Sequence, residues 1–137
     1  MRTIPDSNIF LDVFQHDKNW FEWSMRKLRE CRDTDLIVVN AITFSETAGH
    51  FLSFRDIQTA LSVAETELEE LPWEAAYLAG HVHRKYRRSG GLRERVLPDF
   101  LIGAHAAVKS YRILTRDAAR YRTYFPDVDI IAPDTHP

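Results

Sequence analysis

The chain has 137 residues, a length typical of one domain, and 45% of them are hydrophobic, as in an ordinary globular protein. The formal net charge of −2 excludes a global field that would bring the whole protein onto nucleic acid, so any phosphate binding must be local. Cys31 is the single cysteine, which excludes an internal disulfide. With no signal-peptide pattern and no apolar stretch of membrane-spanning length, the sequence favours a cytoplasmic protein without a membrane partner.

Strand-like and helix-like segments alternate along the chain. Four segments are predicted to be strands, namely residues 1–4, 35–40, 111–115 and 128–131. The predicted helices cover residues 7–14, 17–32, 41–51, 54–71, 73–88, 98–109 and 116–124. The run 35–40 is the clearest strand, because its continuous β-branched residues indicate burial on both faces, as in a parallel sheet. Strands that alternate with helices predict βαβ units with right-handed crossovers.

Four acidic residues lie at the end of a strand-like run or at the start of a helix-like one. They are Asp6, Glu46, Asp99 and Asp117. In an open parallel sheet the carboxyl ends of the strands meet in one crevice, so we expect these side chains to converge. Four carboxylates share a small site as anions only with a cation between them. Oxygen ligands suit Mg²⁺, with Mn²⁺ as a substitute.

Each acid also has a purely structural interpretation. Asp6 and Asp117 precede helix-like runs and are candidates for N-caps. Asp99 lies in a first helical turn, where the positive end of the helix dipole would stabilise its negative charge. Glu46 is harder to explain in this way. It follows the apolar residues Ile42 and Phe44, so we expect it to face partly inward, where a carboxylate needs a partner.

The order of these segments resembles a PIN domain. The resemblance rests on Asp6-Ser7-Asn8, on Glu46 in a helix, on the run from Leu97 to Ala106 and on Leu114-Thr115-Arg116-Asp117. It covers essentially the whole chain, residues 1–137, as a single nuclease domain most similar to VapC-type toxins of bacterial toxin–antitoxin pairs. It implies a PIN-like three-layer α/β/α fold with a mostly parallel central sheet of four to five strands.

The resemblance also implies an activity and partners. The expected protein is a Mg²⁺-dependent endoribonuclease, usually dimeric, that a co-expressed protein antitoxin inhibits. Motif matching gives Asp6, Glu46, Asp99 and Asp117 the places of the catalytic acids, with Asp6, Asp99 and Asp117 as metal ligands and Asn8 and Thr115 in support. Metal held by the carboxylates would polarise the scissile phosphate of RNA and activate a water, leaving a 5′-phosphate.

Two positions depart from the family's pattern. Pro5 directly precedes Asp6 where an apolar residue is more usual, so the first strand must end or bulge there. Some members carry a further acid one turn after the third, and here that position is Gly103.

Two other features suggest binding surfaces. Basic residues gather around Gly90 and Gly91, namely Arg84, Lys85, Arg87, Arg88, Arg93 and Arg95. Arg84, Arg87 and Arg88, together with Arg116, are candidates for RNA binding, although cations also suit a helix C-terminus. The helix around Trp20–Leu28 carries two apolar stripes, which predicts either core packing or a groove for an antitoxin helix or a dimer contact.

Three rival interpretations remain at this point. One is a PIN-type nuclease that processes RNA or DNA without an antitoxin, which the gene neighbourhood would reveal. Another is a non-catalytic RNA-binding module, which would have no need of all four acids. The third is a phosphatase-like or response-regulator-like domain, which would need an acidic pair after the first strand and a lysine after the last.

Overall fold

A computed structural model describes residues 1–90 and 97–137. The strands are β1 (Arg2–Pro5), β2 (Leu36–Val39), β3 (Thr66–Leu68), β4 (Arg112–Leu114) and β5 (Ile130–Ile131). The helices are α1 (Ser7–Phe14), α2 (Phe21–Thr34), α3 (Ala41–Ala48), α4 (Phe54–Val63), α5 (Trp73–Arg88), α6 (Leu97–Lys109) and α7 (Ala119–Tyr124). None of the helices in these two ranges is long and apolar enough to cross a membrane.

The strands described form one parallel sheet in the order β3-β2-β1-β4-β5. In the centre, Thr3 of β1 lies opposite Ile37 of β2 and Arg112 of β4. The chain first builds outward from β1 through β2 to β3, and then crosses to the other side of β1 to add β4 and β5. The crevice where ligands bind in such sheets therefore lies at the carboxyl ends of β1 and β4.

Two apolar cores cover the two faces of the sheet. Successive residues of β4 point to opposite faces, so Ile113 joins one core and Leu114 the other, and both are fully buried. The first core packs α5, α6 and α7 against the sheet, and the second packs α1, α2 and α4. This confirms the predicted three-layer α/β/α fold, with five parallel strands among the described residues.

The predicted helix over residues 54–71 is wrong in its second half. The α4 helix ends at Val63, and Glu65 adopts a left-handed conformation with φ of 57° that turns the chain back. Residues Thr66–Leu68 then pair with β2 as an edge strand, with Thr66 opposite Ile37. An edge strand has one neighbour and needs no continuous apolar run, so its Thr-Glu-Leu sequence carries no strand signal.

Three further helices are shorter than predicted. The α2 helix starts at Phe21 rather than at residue 17, because Asp17 Oδ1 accepts hydrogen bonds from the backbone N–H groups of Asn19 and Trp20, both at 2.9 Å. The α3 helix ends at Ala48, short of residue 51. The α7 helix starts at Ala119 rather than at residue 116, after a turn that involves Thr115.

Candidate active site

Asp6 occupies the N-cap position of α1, yet its side chain makes no capping hydrogen bond. Its carboxylate instead accepts hydrogen bonds from Tyr121 Oη at 2.8 Å and from the Thr115 and Ser7 hydroxyls, both at 3.3 Å. Burial raises the pKa of Asp6, and the hydrogen bond from Tyr121 is the strongest opposing influence. The side chain is therefore directed into the crevice and not used as a helix cap.

Thr115 links the first strand to the segment after the fourth. Its hydroxyl lies 3.3 Å from both Asp6 Oδ2 and the Asp117 carbonyl oxygen, and it accepts from the Asp117 backbone N–H at 3.1 Å. The Asn8 side-chain amide donates to the same hydroxyl at 3.4 Å, while Asn8 Oδ1 is buried without a partner among the described residues. The two predicted supporting residues thus contact each other at the carboxyl ends of β1 and β4.

Asp99 lies in the first turn of α6 and forms an ion pair with Arg120 of α7. Its side chain is only one-quarter exposed. Burial and the nearby charge of Asp6 raise the pKa of Asp99 to about 6, against the opposing influence of Arg120. The charge of Asp117 raises the same pKa further, so Asp99 interacts with both of the acids that follow β1 and β4.

Glu46 and Asp117 lie at the rim of this crevice. The sequence predicts a carboxylate that faces partly inward, and α3 leaves Glu46 exposed as a whole residue. Its carboxyl is nonetheless partly desolvated, which raises the pKa of Glu46, and the charges of Asp6 and Asp99 raise it further. Asp117 is exposed and precedes α7 without capping it, since Ala118 holds the N-cap position.

The chemistry of this donor set fits a hard divalent cation. The donors are carboxylate and hydroxyl oxygens, and the acids destabilise one another's charged forms, which is the condition that a bound cation relieves. In the arrangement described for residues 1–90 and 97–137, however, no three Asp, Glu, His or Cys side chains surround a common point suited to a metal. The predicted ligands Asp6, Asp99 and Asp117 are close enough to interact electrostatically, and Arg120 supplies the positive charge at Asp99.

Two residues of this site, Tyr121 and Arg120, are not predicted from the sequence. Tyr121 is almost fully buried, and burial together with the charge of Asp6 raises its pKa well above 10, so the phenol stays protonated and donates. Arg120 pairs with Asp99. Both residues lie on the short helix that follows Asp117, and this position is the only sequence signal for a role in the site. The signal is weak, because Tyr and Arg are also common in ordinary surface helices.

A buried polar chain joins the helices that carry Glu46 and Asp99. Asn40 Oδ1 caps α3 by accepting from the backbone N–H groups of residues 42 and 43, so its amide nitrogen faces His105 Nδ1 at 3.0 Å. His105 Nε2 lies 2.9 Å from Glu69 Oε2, and Tyr111 Oη donates to Glu69 Oε1 at 2.8 Å. Because the Asn40 amide donates, Nδ1 of His105 must accept and the imidazole proton must be on Nε2.

The predicted RNA-binding arginines fall into two groups. Arg84, Arg87 and Arg88 are exposed on α5 and line an open pocket with Gly80 and His83. Arg116 instead bonds the buried carboxylate of Asp12 at 2.9 Å and lies over the Trp20 ring, 5.6 Å from its centroid, so its contacts are structural. Arg93 and Arg95, predicted in the same basic cluster, lie outside the described residues.

Comparison with known proteins identifies the family and the fold. A family model described as the PIN domain matches residues 3–126. Among solved structures, the chain is similar to VapBC2 from Rickettsia felis bound to a DNA fragment from its promoter, with 14% identity, a TM-score of 0.71 and coverage of 96% of this chain and 98% of that one. It is also similar to DNA-bound VapBC from Salmonella typhimurium, with 19% identity, a TM-score of 0.67 and coverage of 96% and 98%.

A third similar structure is FitAcB from Neisseria gonorrhoeae, with 18% identity, a TM-score of 0.66 and coverage of 98% of this chain and 99% of that one. At these identities the likeness establishes a shared fold. A comparison with curated protein sequences found no significant match.

Proposed function

This chain belongs to the PIN domain family, and from that premise we propose that residues 1–137 form a single nuclease domain, a Mg²⁺-dependent endoribonuclease that acts as the toxin of a toxin–antitoxin pair. One observation carries the proposal. Asp6, Glu46, Asp99 and Asp117, which are distant in sequence, interact through their charges at the carboxyl edge of the sheet. PIN domains hydrolyse phosphodiester bonds in nucleic acids, and this acidic crevice is the part of the chain suited to that reaction.

The residues of the crevice have distinct roles in this proposal. Asp6 and Asp99 are the inner ligands, and Asp117 and Glu46 complete the acidic set at the rim. A divalent cation held there would neutralise phosphate charge and lower the pKa of the attacking water. Tyr121, Thr115 and Asn8 orient the carboxylates and hold their polar surroundings in place, as outer residues do around other metal sites.

The RNA backbone is proposed to lie along the exposed basic pocket of α5. Arg84, Arg87 and Arg88 present their guanidinium groups to solvent there, and local cations are required because the whole chain is slightly acidic. Replacing all three with Gln should weaken RNA binding and flatten its dependence on salt concentration. A matched triple change at Arg26, Arg29 and Arg55 removes the same charge elsewhere and should leave the slope of log affinity against log salt closer to the wild type.

An antitoxin helix is proposed to occupy the apolar groove between α2 and α4. Phe21, Met25 and Leu28 of α2 line this groove, together with Phe14 and Phe51. The two tryptophans of the predicted surface have other contacts. The rings of Trp20 and Trp23 pack edge to face with centroids 5.9 Å apart, and Trp23 Nε1 donates to the His136 carbonyl at 3.0 Å. The groove therefore uses the Phe21–Leu28 stripe of the helix.

The antitoxin proposal is tested by co-expression with any small gene found next to the gene for this chain. Met25→Glu should abolish co-purification of the partner, whereas Arg26→Glu, a change at the adjacent exposed position, should preserve it. A homodimer is proposed as the free state, and sedimentation of the purified chain would measure it. If no adjacent gene encodes a binding partner, the chain is instead a PIN nuclease without an antitoxin.

The nuclease proposal is tested by RNA cleavage with purified protein. Asp6→Asn and Asp99→Asn should each reduce cleavage by more than about a hundredfold, because the loss of a ligand removes water activation and charge neutralisation together. Asp127→Asn changes an exposed acid outside the site and should cleave like the wild type. A chelator should stop the wild type and added Mg²⁺ should restore it. Cleavage by either site variant at the wild-type rate would refute the proposal.

A further inference from the structure

Arg120 is distinguished from its neighbours by the residue that it contacts. Of the three arginines in residues 116–122, Arg116 bonds the buried Asp12 and Arg122 pairs with Asp134 at 2.6 and 2.7 Å. Arg120 alone among these three contacts a member of the acidic set, since its Nη1 donates to Asp99 Oδ2. Its charge is therefore aimed at the position where the proposed function requires a cation.

Tyr121, the residue after Arg120, anchors α7 and leaves the Arg120 side chain free to change its position. Tyr121 has a relative exposure of 1% and is held by its hydrogen bond to Asp6, whereas the Arg120 side chain has a relative exposure of 36%. The helix is thus anchored by the phenol. The guanidinium extends from it on a flexible stem that can leave Asp99 without unpacking the core.

We propose that Arg120 is an internal counter-ion of the acidic site, which competes with the divalent cation for Asp99 and sets the metal concentration at which the site fills. This inference rests on the proposed function, because it takes the acidic set to be a cation site. A guanidinium at Asp99 neutralises one carboxylate in the metal-free protein and repels a dication that approaches the same group. Loading the site therefore requires Arg120 to withdraw or to tolerate a like charge beside it.

A charge-neutral variant of similar length separates this role from a simple link between α6 and α7. Arg120→Gln keeps a hydrogen-bonding side chain but removes the competing charge. We expect it to bind Mn²⁺ and Mg²⁺ roughly tenfold more tightly than the wild type, because a like charge a few ångströms away opposes ion binding at least that strongly. Arg120→Lys retains the charge and should stay within about threefold of the wild type. Arg122→Gln is the matched control, since it removes an arginine whose partner lies outside the acidic set.

Isothermal calorimetry with Mn²⁺ and with Mg²⁺ measures these affinities directly, without RNA or turnover. A second measurement uses the wild type alone and does not depend on the folding of a variant. The ¹⁵Nε signal of the Arg120 guanidinium should shift as Mg²⁺ is added, while the signal of Arg122 should not. Thermal melts in chelator establish that the variants are folded before their affinities are compared.

The possible results are distinguishable. If the wild type binds neither ion, the cation site does not exist, and both the proposed function and this inference fail. If the wild type binds metal but Arg120→Gln binds it equally or more weakly, Arg120 is only a structural link and the inference alone fails. An Arg120 signal that stays unchanged at saturating Mg²⁺ would overturn the inference in the same way. Tighter binding by Arg120→Gln, with Arg120→Lys and Arg122→Gln near the wild type, would establish it.

Discussion

The Tyr121 hydroxyl lies 2.8 Å from Asp6 Oδ2, so a phenol from the last helix holds the carboxylate that follows the first strand. Both residues are buried, and the raised pKa of Tyr121 keeps the phenol a donor throughout the working range of pH. This contact joins the residue after β1 to α7 at the crevice. It also directs the Asp6 carboxylate toward α7 and the Thr115 hydroxyl.

Removing this hydroxyl should affect both stability and the ionisation of Asp6. Tyr121→Phe should lower the free energy of unfolding by about 2 kcal/mol at neutral pH, because a buried carboxylate loses a hydrogen bond to its charged form. The pKa of Asp6 should rise further, since the lost hydrogen bond was the main influence lowering it. Urea unfolding at neutral and acidic pH would measure this, and the cost should shrink where Asp6 is protonated. Tyr124→Phe is the matched control, and an equal cost in both variants would contradict the prediction.

The raised pKa of Asp99 predicts how the stability of the metal-free protein depends on pH. The folded-state pKa of about 6 exceeds the ordinary value of 3.8, so folding favours the protonated carboxyl. The resulting stabilisation is complete below the unfolded pKa and is lost as pH rises through about 6, a change of up to about 3 kcal/mol. The raised pKa values of Asp6 and Glu46 act in the same direction.

Unfolding in chelator at about pH 4 and about pH 7 tests this dependence. Asp99→Asn should lose less stability than the wild type between the two conditions, while Asp127→Asn should follow the wild type. Arg120 already compensates part of the charge of Asp99, so Asp99→Asn should increase the free energy of unfolding only modestly at neutral pH. An Asp99→Asn variant that loses as much stability as the wild type between the two conditions would refute the assignment of a mutually repelling acidic set.

The contact between Asn40 and His105 predicts a single imidazole tautomer. In the wild type, ¹⁵N spectra should show the proton of His105 on Nε2, because the Asn40 amide donates to Nδ1. Burial lowers the pKa of His105 below its ordinary value of 6.5, so the network is fully stabilising above about pH 6.5 and weakens as pH falls through the lower folded-state pKa.

Asn40→Asp separates the two functions of the Asn40 side chain. Aspartate caps a helix as well as asparagine does, but it presents an acceptor to Nδ1 instead of a donor. The imidazole should then take a second proton and its pKa should rise, with a melting temperature close to that of the wild type at neutral pH. Asn40→Ala, which removes both functions, should cost about 2 kcal/mol. An unchanged His105 spectrum in the Asp variant would show that Asn40 does not set the tautomer.

The departure at Gly103 has a steric explanation with a testable consequence. A Cβ built on Gly103 would overlap the ring of Phe125, which is itself buried in the core beside α6. No acid can therefore occupy this position unless Phe125 moves. Gly103→Ala should destabilise the protein by about 1–3 kcal/mol through overpacking. Combining it with Phe125→Leu should recover part of the loss, whereas Gly80→Ala, where the added Cβ meets nothing within 4 Å, should be tolerated.

Much of the fold could be predicted from the sequence because periodicity and end signals coincide. The α5 helix runs from Trp73 to Arg88 as expected, between Pro72 and a glycine with φ of 86° at position 90. The β2 strand is an uninterrupted apolar run because helices cover both of its faces. The edge strand β3 lacks this signal, because its Thr-Glu-Leu-Glu sequence has little to bury, and the sequence pattern therefore predicts a helix there.

The candidate site could be predicted only in part, because the sequence indicates which residues follow each strand but not how each helix is rotated about its axis. Asp6 and Thr115 follow β1 and β4 directly, so the parallel sheet brings them together whatever the side chains around them. The roles of Tyr121 and Arg120 depend on the rotation of α7 about its axis, which packing against α6 decides. The exposure of Glu46 likewise depends on the orientation of α3 relative to the sheet. None of these rotations is encoded by a local pattern.

The strand order has a consequence for the newly made chain. Because β4 completes the sheet beside β1, the first half of the protein can form β1, β2 and β3 while one edge of β1 still has no partner. Asp99, Thr115, Asp117 and Tyr121 all emerge from the ribosome after that half. An acidic site assembled in this order stays incomplete until α7 has been made, because Asp6 lacks the hydrogen bonds from Thr115 and Tyr121 before then.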